Sequence, residues 1–506
     1  MSTPIPSNHA RFSAAEISLA VGGALVRGAP DTACEGIATD TRLVSAGNVF
    51  FALKGETFDG HDYVETAIEK GANCVVVSRS EGLESIAQKQ PEVAFVYVED
   101  TLIALGALAR FHRRRWKGLV VALTGSVGKS TTKEVCRALL RCALDASAIH
   151  CTEGNLNNQI GVPMTLFGLQ TQHRVAIIEI GTSARGEIAN LVDIAQPDIG
   201  LLVSIGTAHA EGLANAPAKP NEPWWVGKVS AKEAVCREKR SVLTRARALA
   251  IAGHDDPWSH ACLAGEDVPA TLSFGFSKGA SYRIARTDFE SKGTRVCIQR
   301  GEADAVEFVV GLFGDALMND VAGALAACDS VLALLGETPL STARLRSFSS
   351  HFEPMPHRFE IHESTDGPWI IDDTYNASPE AFALSIRTAA QIAKAQKRSL
   401  VVVAGEMREL GDHAIKAHKT LGVLVVDAGA RLIVGCGGHT SHTLEVASAR
   451  GLRVHLGASS SDVAMQIESL VEPNDLVLIK GSRGARPELV AQALLHATPG
   501  GNEHAV

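Results

Sequence analysis

A strand-to-helix turn built on Gly125 and Gly128 constrains this 506-residue chain more than any other feature. The apolar run Leu119–Leu123 leads into Thr124-Gly125-Ser126-Val127-Gly128-Lys129-Ser130-Thr131-Thr132, and a helix-compatible stretch continues to about Leu144. A strand that ends in a glycine turn and restarts as a helix brings backbone N–H groups and the helix's positive end to one point, which suits an oligophosphate. In that geometry Gly125, Ser126, Val127, Gly128, Lys129, Ser130 and Thr131 cradle ATP, with Lys129 on the β/γ-phosphates and Ser130 on Mg²⁺. The full Walker pattern wants a glycine where Leu123 stands, so the loop is a shortened variant. An ordinary glycine turn would serve a bare helix start; the strand before and the hydroxyl residues after Lys129 argue for the phosphate cradle.

The length asks for three or four cores. The balance of 46% apolar and 21% charged residues is that of a globular chain, and the net charge of −8 gives no basic footprint for nucleic acid. The segment Met1–Phe12 lacks the apolar centre of a signal peptide. No apolar run in the sequence approaches the ~18 residues that span a bilayer. The expectation is a cytoplasmic monomer with no membrane insertion. Ten scattered cysteines, without a C-x-x-C, argue against zinc and disulfide frameworks.

Three blocks follow from the patterning. Residues 1–115 read as a small α/β domain, with strands at Asn48–Leu53, Ala72–Val77 and Ala94–Val98. Residues 116–346 alternate strand-like runs with helical patterns, which predicts a parallel sheet around the phosphate loop. Residues 347–506 repeat the alternation and predict a Rossmann-like, doubly wound domain.

Other polar clusters lie at predicted strand ends. Val175–Ile178 runs into Glu179, which either orients Mg²⁺ beside the phosphate loop or caps a turn. A second strand end carries His209, a metal ligand, a substrate contact or a loop histidine. Asn155, Asn157 and Asn158 suit a turn that offers donors and acceptors to a polar ligand, or a self-bonded Asx turn. In the third block, Asp372-Asp373-Thr374-Tyr375-Asn376-Ala377-Ser378-Pro379 follows a strand and opens a helix at the proline. Arg358, Glu406, Glu409 and His418 are further polar candidates.

In this order the segments resemble the ATP-dependent Mur ligases, most nearly the MurF type. The resemblance runs through Gly36-Ile37-Ala38-Thr39-Asp40-Thr41-Arg42, the phosphate loop, Gly154–Pro163, Glu179-Ile180-Gly181 and Ala208-His209-Ala210-Glu211. It continues through Asp372–Pro379, Glu406–Gly411 and Lys480-Gly481-Ser482-Arg483-Gly484. It implies an N-terminal UDP-substrate domain, a central ATPase domain and a C-terminal ligase domain. The implied reaction forms an acyl phosphate from a UDP-N-acetylmuramoyl tripeptide and ATP, and D-alanyl-D-alanine then attacks it, in peptidoglycan precursor synthesis. Lys129, Glu179, His209 and Lys232 would be catalytic. Ser130, Glu179 and His209 would hold Mg²⁺, with Lys232 carried as a carbamate that converts a cation into a metal-binding anion.

The resemblance also implies substrate contacts from Asp40, Thr41, Arg42, Asn155, Asn157, Asn158, Tyr375, Asn376 and Ser378. Asn319, Arg358 and Asp373 would contact ATP. Departures from the family pattern are a reduced adenine motif around Asn319, Ser378 in place of asparagine, Glu406 in place of aspartate, and an insertion around Pro223-Trp224-Trp225. Competing readings are a related ligase with a different amine acceptor and a nucleotide-binding regulator that does not ligate.

Overall fold

The computed structural model describes residues 3–55, 57–79, 84–182, 184–206, 213, 230–290, 293–301, 304–353, 355–408 and 410–497. The expected sites at His209, Glu409 and Pro223-Trp224-Trp225 lie outside them. The chain divides into two compact units: Met1–Arg283 with Gln299–Asp304 and Val321–Leu345, and Ile284–Ile298 with Ala305–Asp320 and Arg346–Val506.

Among the described residues the first unit holds two larger sheets and an antiparallel pair, Arg11–Ser13 with Ala33–Glu35. Strands β1 (Ala24–Arg27), β2 (Ile37–Ala38), β3 (Val49–Phe51), β4 (Cys74–Val77) and β5 (Ala94–Tyr97) form one, in the order β1-β5-β4-β3-β2. It is parallel except for β1. Runs such as Cys74-Val75-Val76-Val77 are buried throughout because a parallel strand is covered on both faces. Helix α1 (Thr101–Arg115) follows, capped by the Asp100 carboxylate, which accepts from the Leu102 and Ile103 amides.

The second sheet is built from β6 (Leu119–Thr124), β7 (Ile149–Cys151), β8 (Val175–Glu179), β9 (Ile199–Leu202), β10 (Leu249–Gly253) and β11 (Ala270–Gly275). Their order, β11-β10-β9-β6-β8-β7, is parallel throughout. The loop strand β6 is therefore central, with neighbours on both sides, and its carboxyl end faces the region where the order reverses. Helices α2 (Lys129–Arg141) and α3 (Ala231–Thr244) frame that end.

The second unit carries a ribbon whose strands follow β11, in the order β12-β13-β14 (Tyr282–Glu290, Gly293–Arg300, Asp304–Val310). Sequence alternation of strands and helices did not predict it, because edge strands with mixed polar and apolar residues carry a weak signal. The same unit contains β15 (Glu360–His362), β16 (Trp369–Asp373), β17 (Ser399–Ala404), β18 (Leu432–Cys436), β19 (Arg453–Gly457) and β20 (Asp475–Lys480). Their order is β15-β16-β20-β17-β18-β19, parallel except at β15, which is the predicted doubly wound pattern. Helix α4 (Pro379–Ala395) returns from β16.

Among the described residues, one helical window, Leu317–Leu334, has the length and apolarity of a membrane span, and 72% of it is buried inside the protein, as in a core helix.

Candidate active site

The phosphate loop forms as its glycines require. Gly128 takes φ +86°, a left-handed conformation that a side chain would strain, and it starts α2 without a side-chain cap. The loop is anchored by a residue that sequence reasoning missed, Ser204, two residues beyond β9. Its carbonyl accepts the Ser126 amide at 3.0 Å, and its hydroxyl accepts the Val127 amide at 2.9 Å. The Ser126 and Val127 amides, expected to face phosphate, are thus committed to holding the loop's shape. The first turn of α2, which begins at Lys129, presents the positive end of the helix and its leading amides as the anion-binding end. Only a serine shortly after a strand end was visible in the sequence, too common a feature to single out.

Parallel register places Glu179 opposite Leu123, one residue before Thr124. The predicted carboxylate therefore lies beside the loop at a strand's carboxyl end. Glu179 is buried, and Asn157 Nδ2 donates to its Oε1 at 2.8 Å. Among the described residues its Oε2 is buried with no hydrogen-bond partner, as is Thr124 Oγ1 at the end of β6. Lys133, one turn into α2, is nearly fully buried; its Nζ lies 4.0 Å from Glu179 Oε2 and donates to the Thr152 carbonyl at 2.8 Å. An unsatisfied carboxylate oxygen in a dry site costs free energy unless a cation or donor completes it. Glu179 Oε2, Thr124 Oγ1 and the buried Ser130 hydroxyl are hard oxygen donors of the kind Mg²⁺ accepts.

The asparagine-rich segment divides its work. Asn157 orients Glu179, while Asn158 Oδ1 accepts from the Ile160 and Gly161 amides and starts the helix Gly161–Phe167. Asn155 Oδ1 accepts from the Thr3 hydroxyl at 2.6 Å. The Asx-turn reading thus describes Asn158.

Lys232 is 37% exposed, and its Nζ lies 3.6 Å from Asp256 Oδ1. Seven residues along α3, about 10 Å of helix rise on the same face, Lys239 is buried and donates from Nζ to the Gly125 carbonyl at 3.1 Å. Burial, then the nearby Lys129 charge, pushes the Lys239 amine well below the usual lysine range, against a smaller opposing effect of Glu238. Glu238, also buried, accepts from the Gly186 and Ile188 amides at 2.8 and 2.9 Å and fixes the next loop. The resemblance names Lys232; that a second lysine on the same helix face meets the loop is visible only in the fold.

In the N-terminal sheet region, Asp40 accepts from the Arg42 amide and side chain. That Arg42 bond is the leading cause holding the Asp40 carboxyl below its usual range. The Thr41 carbonyl accepts from Lys70 Nζ at 2.8 Å. The Arg42 side chain is 86% exposed, so this turn presents its cation to solvent.

In the second unit, Arg358 stacks its guanidinium 3.8 Å from the Tyr375 ring centroid. Asp373 is tied inward, with Lys480 Nζ at 2.7 Å from Oδ2 and the Ser385 hydroxyl on the same oxygen. Lys480 also donates to the Asn376 carbonyl, and the Asn376 side chain accepts from the Ala377 amide. Ser378 caps α4 through the Ala381 amide, with Pro379 at its first position. Asp373 and Ser378 are therefore engaged in building the segment from which Tyr375 projects. Among the described residues Asn319 Oδ1 is buried without a hydrogen-bond partner, and burial raises the adjacent Asp320 carboxyl well above its usual range.

Family models match in chain order: the Mur ligase catalytic domain at residues 34–113, the Mur ligase middle domain at 123–218, and the Mur ligase glutamate ligase domain at 357–483. A UDP-N-acetylmuramoyl-tripeptide--D-alanyl-D-alanine ligase from Synechocystis is 30% identical, over 93% of this chain and 94% of the relative. The enzyme of that name from Escherichia coli is 29% identical, over 92% and 94%. Among solved structures, MurF from Acinetobacter baumannii superposes with a TM-score of 0.81 at 26% identity, covering 96% of this chain and 99% of that one. MurF from Thermotoga maritima, solved in complex with ADP, gives 0.73 at 26% identity over 90% and 96%. With a 30% identical relative matched along nearly its whole length and three family models in the family's order, the chain belongs to the Mur ligase family.

Proposed function

We propose that this chain is an ATP-dependent amide ligase that joins D-alanyl-D-alanine to a UDP-N-acetylmuramoyl tripeptide through an acyl phosphate. The observation that carries the reading is the buried, unsatisfied Glu179 Oε2 beside Thr124 and the phosphate loop, in a chain similar from end to end to ligases bearing that name. A carboxylate is a poor electrophile, and phosphorylation gives it a leaving group. The protein's work is then to align reactants and neutralise charge.

Lys129 and the first turn of α2 would bind the oligophosphate of ATP. Ser130, Thr124 and Glu179 would hold one Mg²⁺, which when bound offsets phosphate charge as a Lewis acid. His209 is assigned a metal role by sequence resemblance alone. The resemblance gives the carbamate role to Lys232, while Lys239 of the same helix supports the phosphate loop through the Gly125 carbonyl. Asn319 Oδ1 would accept from the adenine amino group. By the resemblance, Arg358 would contact ATP and Tyr375 the incoming dipeptide.

The proposed division is residues 1–115 for the UDP moiety, 116–346 for ATP and 347–506 for the amine. Phosphate release should require ATP, the tripeptide nucleotide and D-alanyl-D-alanine together, and product mass should show the added dipeptide. Release that proceeds without the dipeptide, or product with another amine in preference, would overturn the reading.

A further inference from the structure

All ten cysteines are free thiols, yet three pairs distant in sequence meet in the fold. Cys34 with Cys74 and Cys136 with Cys328 are sealed in the core, each below 4% exposure. The third pair differs. Cys236 on α3 is half-buried, and its Sγ lies 3.0 Å from Sγ of buried Cys262, which ends the helix Pro257–Ala261. A disulfide needs ~2.05 Å between sulfurs, so about 1 Å of approach would join them.

The surroundings give the two sulfurs different tasks. The Cys262 thiol hydrogen-bonds Cys236 and, with a smaller effect from Arg240 one turn along α3, holds the Cys236 thiol below its usual range; the same bond and burial push Cys262 up. A low-pKa, partly exposed thiol beside a buried partner is the arrangement of an attacking and a resolving cysteine. The position matters because α3 also carries Glu238, bonded to the Gly186 and Ile188 amides, and Lys239, bonded to the Gly125 carbonyl.

We propose that Cys236 and Cys262 form a redox-modification site, oxidised by hydrogen peroxide to a disulfide that shifts α3 and withdraws Lys239 from the phosphate loop. The Cys236 thiolate attacks one peroxide oxygen, the O–O bond breaks, and hydroxide leaves a sulfenic acid. The Cys262 sulfur then attacks the sulfenic sulfur, forming S–S and expelling the oxygen. With the two thiol protons this balances as two thiols and one peroxide giving one disulfide and two waters. A dithiol reductant reverses it by exchange.

The site itself rests on geometry; its effect on turnover rests on the ligase reading. Full-length protein treated with peroxide should yield, after alkylation and non-reducing digestion, one cross-linked peptide joining residues 236 and 262. Ligation should fall by roughly tenfold or more and return with dithiothreitol, since displacements near 1 Å at a reacting site carry such losses. Cys262→Ser should instead trap a sulfenic acid at Cys236, detected with a dimedone-type probe. Cys236→Ser should ligate like the unmodified protein and resist peroxide.

Free thiols at 236 and 262 under peroxide that oxidises another cysteine would overturn the site. A formed cross-link with unchanged ligation would overturn the coupling to Lys239. A reduced protein inactive with all substrates would count against the ligase reading alone, because the peptide mass decides the site independently.

Discussion

Lys239 and Lys129 donate to the same oxygen, the Gly125 carbonyl, at 3.1 and 2.9 Å. Burial, then the Lys129 charge, pushes the deeper Lys239 amine well below the usual lysine range. The two lysines brace one carbonyl at the base of the phosphate loop, Lys129 from 4 residues along the chain and Lys239 from 114.

Lys232→Ala removes the expected carbamate and should lower ligation by roughly a hundredfold or more, as loss of a preorganised charge at a reacting site does. Acetate or formate should partly restore this variant in a phosphate-release assay. Lys239→Ala removes a brace on the Gly125 carbonyl and should lower ligation by roughly tenfold, with no rescue by small carboxylates. Rescue of the Lys239 variant in place of the Lys232 variant would move the carbamate to Lys239.

Asn157→Ala removes the donor that orients Glu179 Oε1. Outer partners of metal ligands typically contribute 10–100-fold in metal affinity. The Mg²⁺ concentration for half-maximal ligation should rise about that much, with the maximal rate largely recovered at saturation. A fall in maximal rate at an unchanged Mg²⁺ requirement would assign Asn157 to substrate instead.

The Lys480–Asp373 pair is buried in the second unit, with side-chain exposures of 3% and 12%. Lys480→Met should destabilise that unit by about 3–5 kcal/mol, since it strands a buried carboxylate. Asp373→Asn in the same chain should recover part of the loss. Urea unfolding followed by a probe in the second unit, such as Trp369, measures both.

His418 is fully buried, and its Nε2 accepts the Met407 amide at 3.2 Å, so Nδ1 carries the proton and faces Thr443. Burial, then the His439 charge, pushes its pKa from 6.5 down to about 4. The unfolded chain therefore binds the extra proton between these values, and stability should rise with pH across about 4 to 6.5 and be lost as pH falls. His418→Gln should flatten that acid limb in melting temperatures taken at several pH values.

The sequence by itself determined the elements whose causes are local. Strand β6, the Gly125–Gly128 turn and the start of α2 follow from an apolar run, a glycine that must take positive φ, and a helix after it. The same holds for Glu179 at a strand end, and for β16 running into Ser378 and Pro379 at the start of α4. Local backbone preference and burial period leave a trace in neighbouring residues.

What holds and completes the site left no such trace. Ser204 anchors Val127 across 77 residues, and Lys239 reaches Gly125 across 114. Lys232 and Lys239 share a helix face, so only the docking of α3 against the sheet decides which ammonium is buried at the loop. The ties of Asp373 to Lys480 and of Cys236 to Cys262 are likewise products of packing, 107 and 26 residues apart. Partners so distant are chosen by which elements the tertiary structure brings side by side, and a single sequence does not encode that choice in any local pattern.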